Sequence, residues 1–213
     1  MAYRRTENVV RRLAEREQTI LDAAQSIAGE DGMGAVQIAA VAHRADIAAG
    51  TVYRYFPSKS DLVAELIAGM AERELTAMRS AADAAPGPLS ALAASIVTFA
   101  ARALQERRLA WAMMAEPVDV DVDASRLNFR RALANELEKR IRTAIAGRHL
   151  PDQDARVAAP AVIGAVLEGL VGPSAPSGST TREAVQMVTL FALRALGVVD
   201  ARARGLVAQC ALP

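Results

Sequence analysis

Between Val36 and Leu62 the chain reads VQIAAVAHRADIAAGTVYRYFPSKSDL, and Ala45-Asp46-Ile47 splits its start into two short helical patterns. Ahead of the break, Ile38, Val41 and Ala42 hold the i, i+3, i+4 spacing of one helix face. From Ala49 to Phe56, Val52 and Phe56 stand four apart and point inward, leaving Thr51, Tyr53, Arg54 and Tyr55 for the outer face. So short a join requires a tight turn. Asp46 suits it, because Asp tolerates left-handed backbone better than most residues that carry a Cβ. Two short helices meeting at such a turn, the second with a polar and aromatic outer face, form a unit that can present one helix to a DNA major groove.

The run from Ile47 to Leu62, IAAGTVYRYFPSKSDL, resembles the helix-turn-helix of the tetracycline-repressor-like (TetR) bacterial transcription regulators. Gly50, Thr51, Tyr53, Phe56, Lys59 and Leu62 fall on that family's pattern. The resemblance implies an all-α fold, with an N-terminal three-helix head containing the helix-turn-helix and a larger helical body for ligand binding and dimerisation. It implies that Thr51 and Tyr53 approach base edges, with Ala48 or Ala49 near thymine methyls, and that Tyr55 and Lys59 hold phosphates. Gln37 and Arg54 are assigned to phosphate on the same ground, and Gly50 and Arg44 complete the expected DNA-binding set. Two departures stand out: the family often has Ser where this chain has Ala48, and a turn Gly where it has Asp46. A Ser cap is worth roughly 0.5 to 2 kcal/mol where tested, so its loss leaves backbone donors at the start of the reading helix for a phosphate. Ala39 replaces a longer polar residue of many relatives, so the first helix of the pair is expected to contribute fewer contacts.

A chain of 213 residues with 52% hydrophobic but only 4% aromatic content, rich in Ala and Leu and without alternating strand patterns, favours helices throughout. The formal charge of +1 gives no global argument for nucleic acid. Locally the balance differs: residues 1–16 hold Arg4, Arg5, Arg11, Arg12 and Arg16 against Glu7 and Glu15. This basic arm, residues 1–14, is read either as a strip lying along phosphates or the minor groove, or as a disordered tail. The lone Cys210 rules out an internal disulfide and fits a reducing cytoplasm, and MAYRRTENVV is too polar for a secretory signal.

The head is expected over residues 15–62 and the body over residues 63–213. A first helix from about Glu15 to Glu30, with Ile20, Ala24 and Ile27 on one face, ends at Gly32 as a cap, and Asp22, Glu30 and Asp31 turn away from the duplex. Ser58 and Asp61 signal a capped helix running to about Ala85, which would act as a lever between head and body. Pro86-Gly87-Pro88 stops it, and further helices are expected over residues 89–105, 108–115, 124–147, 152–171 and 181–196, the last capped by Thr180 and Glu183. Val157 to Val171 is apolar almost all round, but Pro160, Glu168 and Gly172 leave too short a run for a membrane span. Burial on more than one side is the better reading, with Val162, Val166 and Gly169 meeting Met187 and Phe191 in a four-helix interface between two copies. A purely internal core is the alternative. The family's plan agrees with the dimer, since its members usually pair through their last two long helices.

Family resemblance also implies that the body holds a small, apolar effector whose binding moves the heads. Met78, Phe99, Trp111, Met113, Met114 and Phe129 are the candidate pocket wall, with plain core as the alternative for each. Glu116, Asp119, Asp121 and Asp123 form an acidic patch, read as a solvated loop in preference to a cation or metal site. No cofactor is expected. There is no H-E-x-x-H, Cys cluster or P-loop, and His43 and His149 have no nucleophile nearby in sequence, so no enzyme activity is expected. The reading that follows is a ligand-responsive repressor binding a pseudo-palindromic operator as a dimer. The alternative is a helical ligand carrier or interaction protein whose head no longer binds DNA, with Ala39 and Ala48 as marks of that loss.

Overall fold

The computed structural model describes residues 2–116 and 120–210, with side chains at residues 8–116 and 123–210. Among the described residues there are ten α-helices and no strand. Helices α1 (Ala2–Asp31), α2 (Ile38–Arg44) and α3 (Ala49–Tyr55) form the head, and α4 (Lys59–Asp83) leads out of it. The body adds α5 (Pro88–Gln105), α6 (Arg107–Met114), α7 (Val120–Ala146), α8 (Ala155–Val166), α9 (Thr181–Ala195) and α10 (Asp200–Gln209).

The head's core is the inward set of four helices: Ile20, Ala24 and Ile27 of α1, Ile38 and Val41 of α2, Val52 of α3, and Leu62 and Leu66 of α4, closed by Phe56. Gly32 ends α1 with φ +90°, a backbone that only glycine adopts readily, and a single 3₁₀ turn at Met33–Ala35 leads to α2. Asp46 takes φ 52°, the left-handed turn expected of it. Ser58 caps α4 by accepting from the Asp61 amide.

The first helix starts at Ala2, well before the expected Glu15, so the basic arm is part of a continuous helix. Residues 2–15 hold good helix formers and no Gly or Pro, but their apolar side chains Val9, Val10 and Leu13 stay exposed, so no buried stripe marked the helix. The Arg11–Glu15 pair, four residues apart, adds local support. The side chains of Arg4 and Arg5 lie outside the described residues.

In the body, α5 is long and apolar enough by composition to span a membrane, yet Leu92, Ala93, Ile96 and Ala100 are wholly buried. It is the central helix of the bundle, packed by α4, α7, α9 and α6. α8 gives way after Val166 to a wider i→i+5 turn over Leu167–Val171, closed by Gly172 N–H donating to Leu167 C=O at 2.6 Å. The Arg107 guanidinium holds that end, donating to the Val171 and Gly172 carbonyls at 2.9 and 2.7 Å. Thr180 and Glu183 make the reciprocal cap expected of them on α9. Helix α10 was not legible: it has no side-chain cap, and only Ala203, Leu206 and Val207 form its buried face.

Glu136 is buried on α7 but not isolated, since Arg79, Lys139 and Arg140 surround its carboxylate at 3.1 to 3.7 Å. The pair Glu30 and Arg44 ties α1 to α2. Arg44 donates through both terminal nitrogens to Glu30 at 2.6 and 2.8 Å, and to Ser26 at 2.6 Å. Arg44, and then Ser26, hold the Glu30 carboxyl down at about 2. A depressed carboxylate stabilises the fold above its ordinary pKa and loses that contribution as pH falls toward its folded value. Glu30→Gln is therefore expected to flatten the acid loss of stability between about pH 4.5 and 2, read from urea midpoints across that range.

Candidate nucleic-acid interface

The surface that could meet DNA is built by α3 and the residues flanking it. Val52 is wholly buried, which fixes the rotation of the helix and turns Ala49, Gly50, Tyr53 and Arg54 to solvent, with Tyr53 53% exposed. Ala48 is the N-cap, and no side chain accepts from the first turn. Thr51 and Lys59 are half-buried at the edges of this face. Tyr55 is less free than its place on the outer face implied: it is half-buried against the head's core, and the Arg54 guanidinium lies 5.5 Å from its ring centroid. Gln37, the N-cap of α2, donates from its amide to Gly34 C=O at 2.9 Å. Arg44 is exposed and pairs at the surface with the exposed Glu30 of α1. Ala39 and Ala48 are exposed.

The family described as bacterial regulatory proteins, tetR family, matches residues 20–66, which takes in α2, α3 and the start of α4. The head belongs to the TetR family. Among curated proteins, the TetR-type head is similar to the HTH-type transcriptional repressor KstR of Rhodococcus jostii, 52% identical over 59 residues, 28% of either chain. KstR of Mycobacterium tuberculosis is 59% identical over 49 residues, 23% of this chain and 22% of that protein. The alignments thus span less than a third of the curated relatives' length. For the whole chain, solved structures show the fold. RolR in complex with resorcinol superposes with a TM-score of 0.68 at 20% identity, covering 94% of this chain and 98% of that one. FadR of Bacillus subtilis in complex with stearoyl-CoA gives 0.64 at 18% identity, covering 90% and 95%. A tetR-family regulatory protein from Rhodococcus RHA1 gives 0.71 at 20% identity, covering 87% and 98%.

Two further features bear on function. A cavity of about 210 Å³ lies between α4, α5, α6 and α7, with Gln25 of α1 also on its wall, and Phe99, Met113, Met114 and Phe129 line it. Trp111 and Met78 do not: Met78 is buried in the α4 core, and the Trp111 ring lies 3.0 Å from where a Cβ on Gly172 would stand. Spacing put both on apolar faces, but a helix has more than one buried face, and these two turn elsewhere. Second, α8 and α9 share an open apolar groove of about 670 Å³ in which Met187 and Phe191 stand 53% and 60% exposed beside Ala165 and Gly169. Val162 and Val166 are excluded from that face because they are buried in the protomer's own core. An almost uniformly apolar helix carries no sequence mark of which side faces inward; here it is the side of Ala159, Val162, Ile163 and Val166.

Glu116 is not part of a solvated patch. Its Oε2 accepts from the Met33 backbone N–H at 2.8 Å and its Oε1 from Arg108 at 3.0 Å, so the end of α6 is fastened to the turn that leads into α2. Sequence offered no signal for this contact between residues 83 positions apart. Asp123 is exposed, while Pro117 and the side chains of Asp119 and Asp121 lie outside the described residues. Among the described residues no three His, Cys, Asp or Glu side chains gather where they would hold a metal.

Proposed function

We propose that this chain is a ligand-responsive transcriptional repressor that binds a pseudo-palindromic DNA operator as a homodimer and leaves it when a small molecule enters the body. The observation that carries the reading is the exposed α3 face: Tyr53 stands out beside Ala49 and Gly50 within a segment 52% identical to part of a transcriptional repressor. The chain divides at residues 62/63 into a reading head and a body that binds effector and partner, and it acts in the cytoplasm. Its relatives are regulators, which argues against an enzyme. RolR in complex with resorcinol and FadR in complex with stearoyl-CoA share this fold, and both support an effector site here.

Dimerisation is assigned to α8 and α9, through Ala165, Gly169, Met187 and Phe191. A two-fold contact there would place two α3 helices in successive major grooves about 34 to 36 Å apart. The effector cavity supplies the coupling, because its walls include elements that join the body to the head, with Gln25 of α1 among them. α4 carries Met70 and Glu74 and runs unbroken from Lys59, and α6 carries Met113 and ends at the Glu116 contact with Met33. A ligand that prefers the conformer with wrongly spaced heads must weaken DNA binding by the factor by which DNA weakens its own.

The test is fluorescence anisotropy with a duplex selected from a random pool by the full-length chain, measured at two salt concentrations. A specific complex that weakens as salt rises supports the repressor. A chain that enriches no sequence, yet is stabilised by small ligands, is the carrier instead. Within the complex, Lys59→Ala is expected to weaken all duplexes alike and lower the salt slope by about one, whereas Thr51→Ala chiefly relaxes discrimination between sequences. Equal loss of discrimination in the two variants contradicts these roles.

A further inference from the structure

Resting on the effector reading above, we propose that the cavity between α4, α5, α6 and α7 takes a compact neutral ring compound bearing a hydroxyl, with that hydroxyl donating to Glu74. Size comes first. A dry cavity of about 150 Å³ accommodates benzene, so about 210 Å³ admits one ring with one or two small substituents. The walls then set the character: Phe99, Leu109, Met113 and Phe129 present an apolar, polarizable lining suited to an aromatic face.

Polar side chains line the cavity as well: Gln25 of α1, Arg73 and Glu74 of α4, Arg102 and Gln105 of α5, and Glu106. Glu74 lines the cavity, and its Oε1 accepts from both Nε and Nη2 of Arg102 at 2.8 Å. Its Oε2 is buried, and no protein group donates to it. A buried carboxylate oxygen calls for a donor, and a ligand hydroxyl is the donor that an apolar ring can bring. Charge selects further. Arg73 and Arg102 balance Glu74 and Glu106 around the cavity, so a cationic ligand gains no net attraction. An anion would face the unpaired Oε2 directly. A carboxylate of the same size is therefore rejected, and so is a hydrocarbon that leaves Oε2 unpaired.

Isothermal titration of the full-length chain with phenol, toluene and benzoate tests this. Phenol is expected to bind about 10- to 100-fold more tightly than toluene, the range for one hydrogen bond to a charged acceptor. Benzoate is expected to bind more weakly still. Glu74→Gln should bring phenol to within about threefold of toluene while leaving toluene unchanged; should that variant not fold, the wild-type ratio decides alone. Toluene or benzoate binding as tightly as phenol overturns the proposal. The same preparation is assayed on the selected duplex, which separates the two readings. Duplex binding without phenol binding overturns the ligand class alone, whereas phenol binding without any selected duplex overturns the repressor and leaves the ligand class standing.

Discussion

Phe191→Glu is expected to convert the chain to a folded monomer and to abolish tight operator binding. Phe191 is 60% exposed in the protomer, beside the half-exposed Met187, so nothing inside one chain depends on its ring. In a two-fold contact the substitution occurs twice. Loss of a central aromatic anchor costs about 2 kcal/mol or more each time, and about 4 kcal/mol corresponds to roughly a 1,000-fold weaker dimer, before the cost of burying two carboxylates is added. Sedimentation velocity should show monomer at concentrations where the parent is dimeric, with helical circular dichroism unchanged. Operator affinity should fall with the dimer, because a lone head keeps the contacts of only one half-site. Had α8 and α9 merely closed an internal core, the variant would lose helicity instead. A dimer of undiminished affinity would remove this face from the account.

Gly32→Ala is the second large effect, and it acts on the joint rather than on DNA. At φ +90° the residue occupies backbone that a side chain rarely adopts, at a cost on the order of 1 to 3 kcal/mol. The added Cβ would also stand 2.2 Å from the Arg108 Nη2 and 2.6 Å from the Glu116 Oε1, so the Arg108–Glu116 pair has to move. Since Glu116 also accepts from the Met33 amide, the displacement reaches the turn into α2. A total of about 2 to 4 kcal/mol would lower Tm by roughly 5 to 15 °C in a chain of this size. Thermal unfolding followed at 222 nm checks it, and a shift under about 2 °C contradicts the assigned strain. Arg108→Ala opens room for the Cβ, so in that background the glycine substitution should cost less, which a double-mutant cycle would read.

The head was legible because its signals are local. A turn residue at Asp46, two inward residues four apart at Val52 and Phe56, and a Ser58 cap each act within one or two turns of chain, and the structure forms all three. What sequence left open was rotational choice. Val162 and Val166 are as apolar as an interface residue should be, yet the packing of α7 against α8 turns them inward and leaves the smaller Ala165 and Gly169 at the surface. Met78 and Trp111 went astray for the same reason. Polar pairing over long separations was the other gap. Glu116 with Met33 and Arg44 with Glu30 follow from the tertiary path alone, and the first takes Glu116 out of the solvated patch that its acidic neighbours in sequence implied. The early start of α1 shows a third limit, since a helix that buries nothing leaves no periodic trace.

Two reading helices held at one spacing are the physical core of this account, and hydroxyl-radical footprinting of the selected duplex tests that most directly. Two protected patches are expected on one face of the duplex, related by a two-fold axis, with affinity falling sharply when half a helical turn is inserted between them. A single patch whose affinity is indifferent to the insertion would contradict it.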